Sequence, residues 1–295
     1  MRKKTVGIFT FISFIIIISV VGGAYYTVKS YNSKIAKQEL DKVVEKTAKF
    51  ADIRYKDVDV DIIHAKAHIN DVEITPLNSK EKIKIKDIVI YSFDRENRIP
   101  AFLHLALNGI SIDIGKDNDD AIIKELGYDY DKLISSIELD YEYNKNDKAL
   151  YIKKLRSTTQ HTATIELSLH ISNLDLNISN PLAFLFSVPN ILLHEMTLTY
   201  TDASLITRLL EDAAKKSNKT IEEYKNDLTK QIDDEILKAQ DNLSKASLKS
   251  VKQFIINPKR LIIKVSPKTP ISLGEIQEIK EPIELMNRLK VKIQT

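Results

Sequence analysis

Apolar residues recur with three different periods along this 295-residue chain. Residues 5–28 hold no charged side chain, and Val6, Ile8, Phe11, Ile15, Ile16, Ile17, Ile18 and Val20 run directly behind Arg2, Lys3 and Lys4. A helix rises about 1.5 Å per residue, so about 20 apolar residues span the hydrocarbon core of a bilayer. The pattern predicts a transmembrane anchor at 5–28 behind a cytoplasmic tail at 1–4. Tyr25 and Tyr26 at its end suit a membrane–water interface. A cleaved signal is the competing reading, with Gly22-Gly23-Ala24 as its small-residue site.

From 29 to 51 the period is helical, with Ile35, Leu40, Val43, Val44 and Ala48 on one face, and predicts a stalk helix. Over 52–203 the period becomes two. Val58, Val60 and Ile62 alternate with Asp57, Asp59 and Asp61, giving one strand an apolar and a carboxylate face. Such a row of carboxylates offers oxygen ligands to a divalent cation. Alternate positions, however, lie about 7 Å apart along a strand, and a solvated face explains the row without a ligand.

One pattern returns several times: two alternating apolar residues, a two-residue break, then two more in shifted phase. It appears around Asn70-Asp71, Lys86-Asp87, Asn108-Gly109 and Ser172-Asn173. A two-residue hairpin accounts for it, because residues flanking the turn pair across strands and share a face. At Asn108-Gly109 such a hairpin sets Leu107 opposite Ile110, Leu105 opposite Ile112 and Leu103 opposite Ile114. At the other breaks a bulge inside one long strand competes, since it also restores the phase.

Residues 204–257 return to a helical period. A short amphipathic helix around Leu205, Leu209 and Ala213 precedes a longer run that opens on Thr220 and Glu223, a capping-box pair. The two predict a helical hairpin covering the sheet, and 258–295 predicts C-terminal strands. The expected architecture is therefore α+β: an N-terminal transmembrane helix, then a twisted antiparallel β-sheet of repeated hairpins or bulged strands, covered by a helix pair from the C-terminal half.

Charge narrows the function classes. Setting aside Arg2, Lys3 and Lys4 leaves 41 basic against 41 acidic residues, so no basic field remains for nucleic acid. The chain has no cysteine, hence no disulfide framework and no thiolate ligand. Of its six histidines, His194 with Glu195 begins a zinc-protease motif that fails at Leu198, and His64 and His68 on one strand lie about 13 Å apart. With no phosphate loop and no nucleophile elbow, the sequence predicts neither enzyme nor cofactor nor metal.

The stretch Val20-Val21-Gly22-Gly23-Ala24-Tyr25-Tyr26-Thr27-Val28-Lys29, with a short helix, Tyr55 and alternating strands after it, resembles the start of the YdgA-like periplasmic family of unknown function. The repeated strand pattern resembles AsmA-like envelope proteins. Both resemblances imply a single-pass inner-membrane protein with a β-rich periplasmic domain, and the second implies a link to lipid transport. The helical stretch at 204–256 departs from both.

Two functions follow. In one, Leu103, Leu105, Leu107, Ile110 and Ile112 line an apolar groove that binds or carries phospholipid beside the bilayer. In the other, the sheet is fully covered and the domain is an envelope scaffold that binds protein partners. Exposure of those five residues separates the two.

Overall fold

The computed structural model describes residues 33–61, 66–77, 82–94, 96–97, 100–113, 125–128, 130–176 and 181–295. Twelve strands are formed: β1 (Ala51–Arg54), β2 (Asp57–Asp61), β3 (Lys66–Pro76), β4 (Ile83–Phe93), β5 (Phe102–Asp113), β6 (Lys132–Asn144), β7 (Ala149–Thr159), β8 (Ala163–Ser172), β9 (Leu192–Asp202), β10 (Arg260–Val265), β11 (Ile271–Ser272) and β12 (Lys292–Gln294). The helices are α1 (Ser33–Thr47), α2 (Pro181–Ser187), α3 (Leu205–Lys216), α4 (Ile221–Lys238), α5 (Asn242–Ile256), α6 (Leu273–Glu278) and α7 (Pro282–Leu289). Hydrogen bonding orders the sheet β1-β3-β4-β5-β6-β7-β8-β9-β10-β12, with β2 also on β3 and β11 on β9. The chain divides into two compact units, Met1–Ile114 with Asp131–Asp140, and Gly115–Tyr130 with Tyr141–Thr295.

The transmembrane element of the expected architecture is corrected. No helix among the described residues is long and apolar enough to cross a membrane. The stretch that was to supply one, with Val6, Ile8, Phe11, Ile15, Ile16, Ile17, Ile18 and Val20, lies outside those residues. What the structure describes is a large antiparallel sheet of twelve strands with helices.

In the first unit the hairpin expected at Asn108-Gly109 does not form. β5 runs straight through it, and Gly109 adopts φ +65 inside the strand. Asp71 does the same in β3, with φ 50. The registers explain why the chain need not turn: Asn70 pairs with Asp87 and Asp87 with Asn108, then Val72 with Ile85 and Ile85 with Ile110. The breaks of three neighbouring strands therefore lie at one level, and pairing resumes in the same register beyond Asp71, Lys86 and Gly109. A left-handed residue rotates the chain, so apolar side chains before and after it both reach the core. Ile69, Val72, Ile88, Ile85 and Leu107 are accordingly all buried. At Gly109 a Cβ would meet the Lys86 Cβ at 2.9 Å, so the close approach as well as the φ requires glycine.

Within the span 29–51, where the period is helical, the structure has α1 over Ser33–Thr47. Its Leu40 is fully buried and the helix packs on β1 and β2. Tyr55 donates to the Asp41 carboxylate across this contact, and burial, reinforced by that carboxylate, pushes the phenol pKa well above its usual value. Between β4 and β5 the buried Asp94 accepts from Ala101 N at 2.7 Å, Asn97 Nδ2 at 2.6 Å and Glu96 N at 3.0 Å. Burial alone would raise its pKa, but these donors outweigh burial and hold the carboxyl below its ordinary range.

In the second unit the expected helix pair is three helices. Thr220 and Glu223 form the capping box of α4, but the run breaks at Ala239, which is extended. Asp241 then caps α5 by accepting from Ser244 N at 2.8 Å. Phe254 of α5 meets Tyr200 of β9 edge-on at 6.0 Å, so α5 covers the apolar face there. Further along, Leu193, Val265, Ile271 and Leu289 form a core with Leu169 and Met196 packed against it. The C-terminal strands expected at 258–295 are joined by α6 and α7, and β12 pairs with β10.

Candidate functional site: rings laddered across three strands

With one face of each strand given to the core, the alternate residues of β7, β8 and β9 form a polar face. Its rows follow the register. Thr158 and Thr164 pair and hydrogen-bond at 3.1 Å, and Arg156 pairs with Glu166 in a 2.8 Å ion pair. Beyond the Ser168–Thr197 pair comes an aromatic row. Tyr151 pairs with His170, their rings stacked at 4.1 Å and 18°. His170 stacks in turn on His194 at 4.0 Å and 18°.

A bulge makes the second stack. His170 pairs with Glu195, but Ile171 pairs with Leu193, so His194 is an extra residue in β9 and comes to stand beside His170. Ser172 Oγ and His194 Nε2 share a 2.7 Å hydrogen bond that orients the second imidazole. Burial, and next the neighbouring His194, lower the pKa of His170 below the ordinary imidazole value. Tyr151 ends the ladder and stays 40% exposed, beside the Lys153–Glu142 ion pair.

The first unit carries a shorter row of the same kind. Lys66 Nζ lies 4.9 Å from the Tyr91 ring, Tyr91 stacks on His104 at 4.2 Å, and His104 Nε2 meets Glu138 at 3.2 Å. At the level of the aligned breaks runs a polar row: Asn70 donates to Asp57 at 2.6 Å and Asn108 to Asp87 at 3.4 Å, while His68 Nδ1 meets Asp87 at 3.2 Å. The carboxylate row read from the sequence is thus partly committed to amide partners. Beside it an open depression of about 380 Å³ is lined by Asp71, Glu73, Lys84, Lys86, Gly109 and Ser111. No group of three or more His, Asp or Glu side chains among the described residues is placed to hold a metal ion.

The proposed apolar groove is corrected by burial. Leu103, Leu105 and Leu107 are 1%, 2% and 2% exposed, so they are core and line no open surface; Ile110 is partly buried, and the Ile112 side chain lies outside the described residues. The phase-restoring break keeps Ile110 on the side of Leu107, since their partners Ile85 and Ile88 are both buried, which is why a pattern read as a groove is a core.

The ring ladder was not legible as a site. His170 and His194 stand on strands joined by about twenty residues, and only the bulge brings them together. Tyr151 and His170 at outward positions of neighbouring strands were the one available signal.

Together these features define a class: an antiparallel sheet with helices, whose strands in each unit carry rows of charged, aromatic and imidazole groups. The chain belongs to the family whose model matches residues 136–295, a family described as "Uncharacterized protein". Every residue of the Tyr151–His170–His194 ladder falls within that span. No curated protein matches the chain.

Proposed function

We propose that this chain is a non-enzymatic binding module of the bacterial cell envelope, working on the periplasmic side of the inner membrane and engaging an envelope protein through the polar face of its sheet. The observation that carries the reading is the burial of Leu103, Leu105 and Leu107. It commits the apolar face to the core and leaves the polar rows for recognition. Stacked rings and ion pairs suit that role, because they are held rigid by the register and lose little freedom on binding. The charge-free stretch behind Arg2, Lys3 and Lys4 supports delivery to the inner membrane.

The lipid reading keeps one observation in its favour. Leu185 and Phe186 of α2 are 63% and 79% exposed, an apolar pair suited to a bilayer surface or an acyl chain.

Native mass spectrometry of the full chain, extracted from membranes of a native-like host, separates the two. The binding-module reading expects a lipid-free species; a stoichiometric phospholipid that survives detergent exchange overturns it. A photocrosslinking residue at Tyr151 is expected to give one discrete protein adduct, lost when Arg156→Glu reverses a charge further along the same face.

A further inference from the structure

We propose that His170 and His194 form a two-imidazole chelate for a divalent transition metal, of the Cu²⁺, Ni²⁺ or Zn²⁺ type, on the polar face of the second unit. This goes beyond the binding role above and does not depend on it. The two rings stand on adjacent strands, face to face, with centroids 4.0 Å apart and planes 18° from parallel. A metal–nitrogen bond of about 2.0–2.1 Å places two imidazole nitrogens on one ion about 3 Å apart. Imidazole lone pairs lie in the ring planes, so both rings turn out of the stack about their side-chain torsions to aim one nitrogen each at the ion, with neither strand moved.

Three features build the pair. The bulge in β9 inserts His194 beside His170, where an unbroken register would set His194 opposite Ile171. Ser172 engages Nε2 of His194, which leaves Nδ1 as the ligating atom and reproduces the outer hydrogen bond that metal-bound imidazoles characteristically make. Tyr151 packs on the outer face of His170 and keeps that ring on the polar face beside His194.

Imidazole nitrogen selects the later first-row metals over Mg²⁺ and Ca²⁺, which take oxygen. Because no third His, Asp or Glu joins the pair among the described residues, water completes the coordination. The site is open, with weaker affinity than a closed four-ligand centre.

The test uses the full chain with one equivalent of Cu²⁺ at pH 7.5 as the only probe, read by electron paramagnetic resonance. The expected spectrum shows nitrogen superhyperfine structure, and His170→Ala and His194→Ala each weaken binding at least tenfold. His104→Ala binds as the parent chain does. Circular dichroism confirms that each variant is folded, and His194→Gln replaces any that is not. As a second readout, Ni²⁺ is expected to raise the urea midpoint of the parent chain and not that of the variants. Copper bound equally by parent and both histidine variants, or no binding at micromolar metal, overturns the site.

Discussion

Gly109→Ala tests the aligned break in β3, β4 and β5 most directly. Two costs follow from the structure. The φ of +65 places alanine in the left-handed region, at about 1–2 kcal/mol. The added Cβ falls 2.9 Å from the Lys86 Cβ, where one strand must shift, at about 1–3 kcal/mol by analogy with overpacked cores. The expected loss is about 2–5 kcal/mol. Urea unfolding followed by far-ultraviolet circular dichroism measures it, with tyrosine emission as the second probe because the chain has twelve tyrosines and no tryptophan. A cycle with Lys86→Gly apportions the two costs, since removing the opposing Cβ relieves the contact and leaves the φ untouched. Asp71→Gly, at φ 50, is expected to hold stability or raise it by up to about 1 kcal/mol. If Gly109→Ala lies within about 0.5 kcal/mol of the parent chain, the account of the break as a glycine-dependent left-handed step is wrong.

Three further outcomes are expected. Because donors hold the Asp94 carboxyl below its ordinary pKa, its contribution is present above the unfolded value and is lost as pH falls through the folded one; the gap in urea midpoint between the parent chain and Asp94→Asn should persist at pH 7 and close below about pH 4, and a gap unchanged at pH 3 contradicts this. Ser247 of α5 buries a hydroxyl with no hydrogen-bond partner, so Ser247→Ala should raise the melting temperature or leave it unchanged, and a loss above about 1 kcal/mol would mean the hydroxyl is satisfied. Thr220→Ala removes the side chain that caps α4 and should cost about 1 kcal/mol, with Thr220→Ser recovering most of it.

Elements governed by local chemistry were readable. The capping box at Thr220 and Glu223 was visible as a spacing, and so was the alternation of β2. Features set by neighbours were not. Whether Asn108-Gly109 turns the chain or rotates it depends on where β3 and β4 carry their own breaks, and no window around residue 109 contains that information. The split between α4 and α5 left one missed signal, Asp241 three residues before Ser244. The ladder depended on a single extra residue in β9, which alters the register by one step and is invisible in the alternation of Leu192 to Asp202.

The carboxylates of β2 have a consequence for solubility. Among the described residues β2 hydrogen-bonds to β3 at the margin of the sheet, with α1 packed on it. A second copy docking its own β2 antiparallel there would bring Asp57, Asp59 and Asp61 against the same three carboxylates. Like charges facing each other across a ladder are destabilising, and a sheet of this breadth has much to lose from growing by its margin. The alternation that offered oxygen ligands thus sets like charges along that margin, a pattern that disfavours edge-to-edge pairing of two copies.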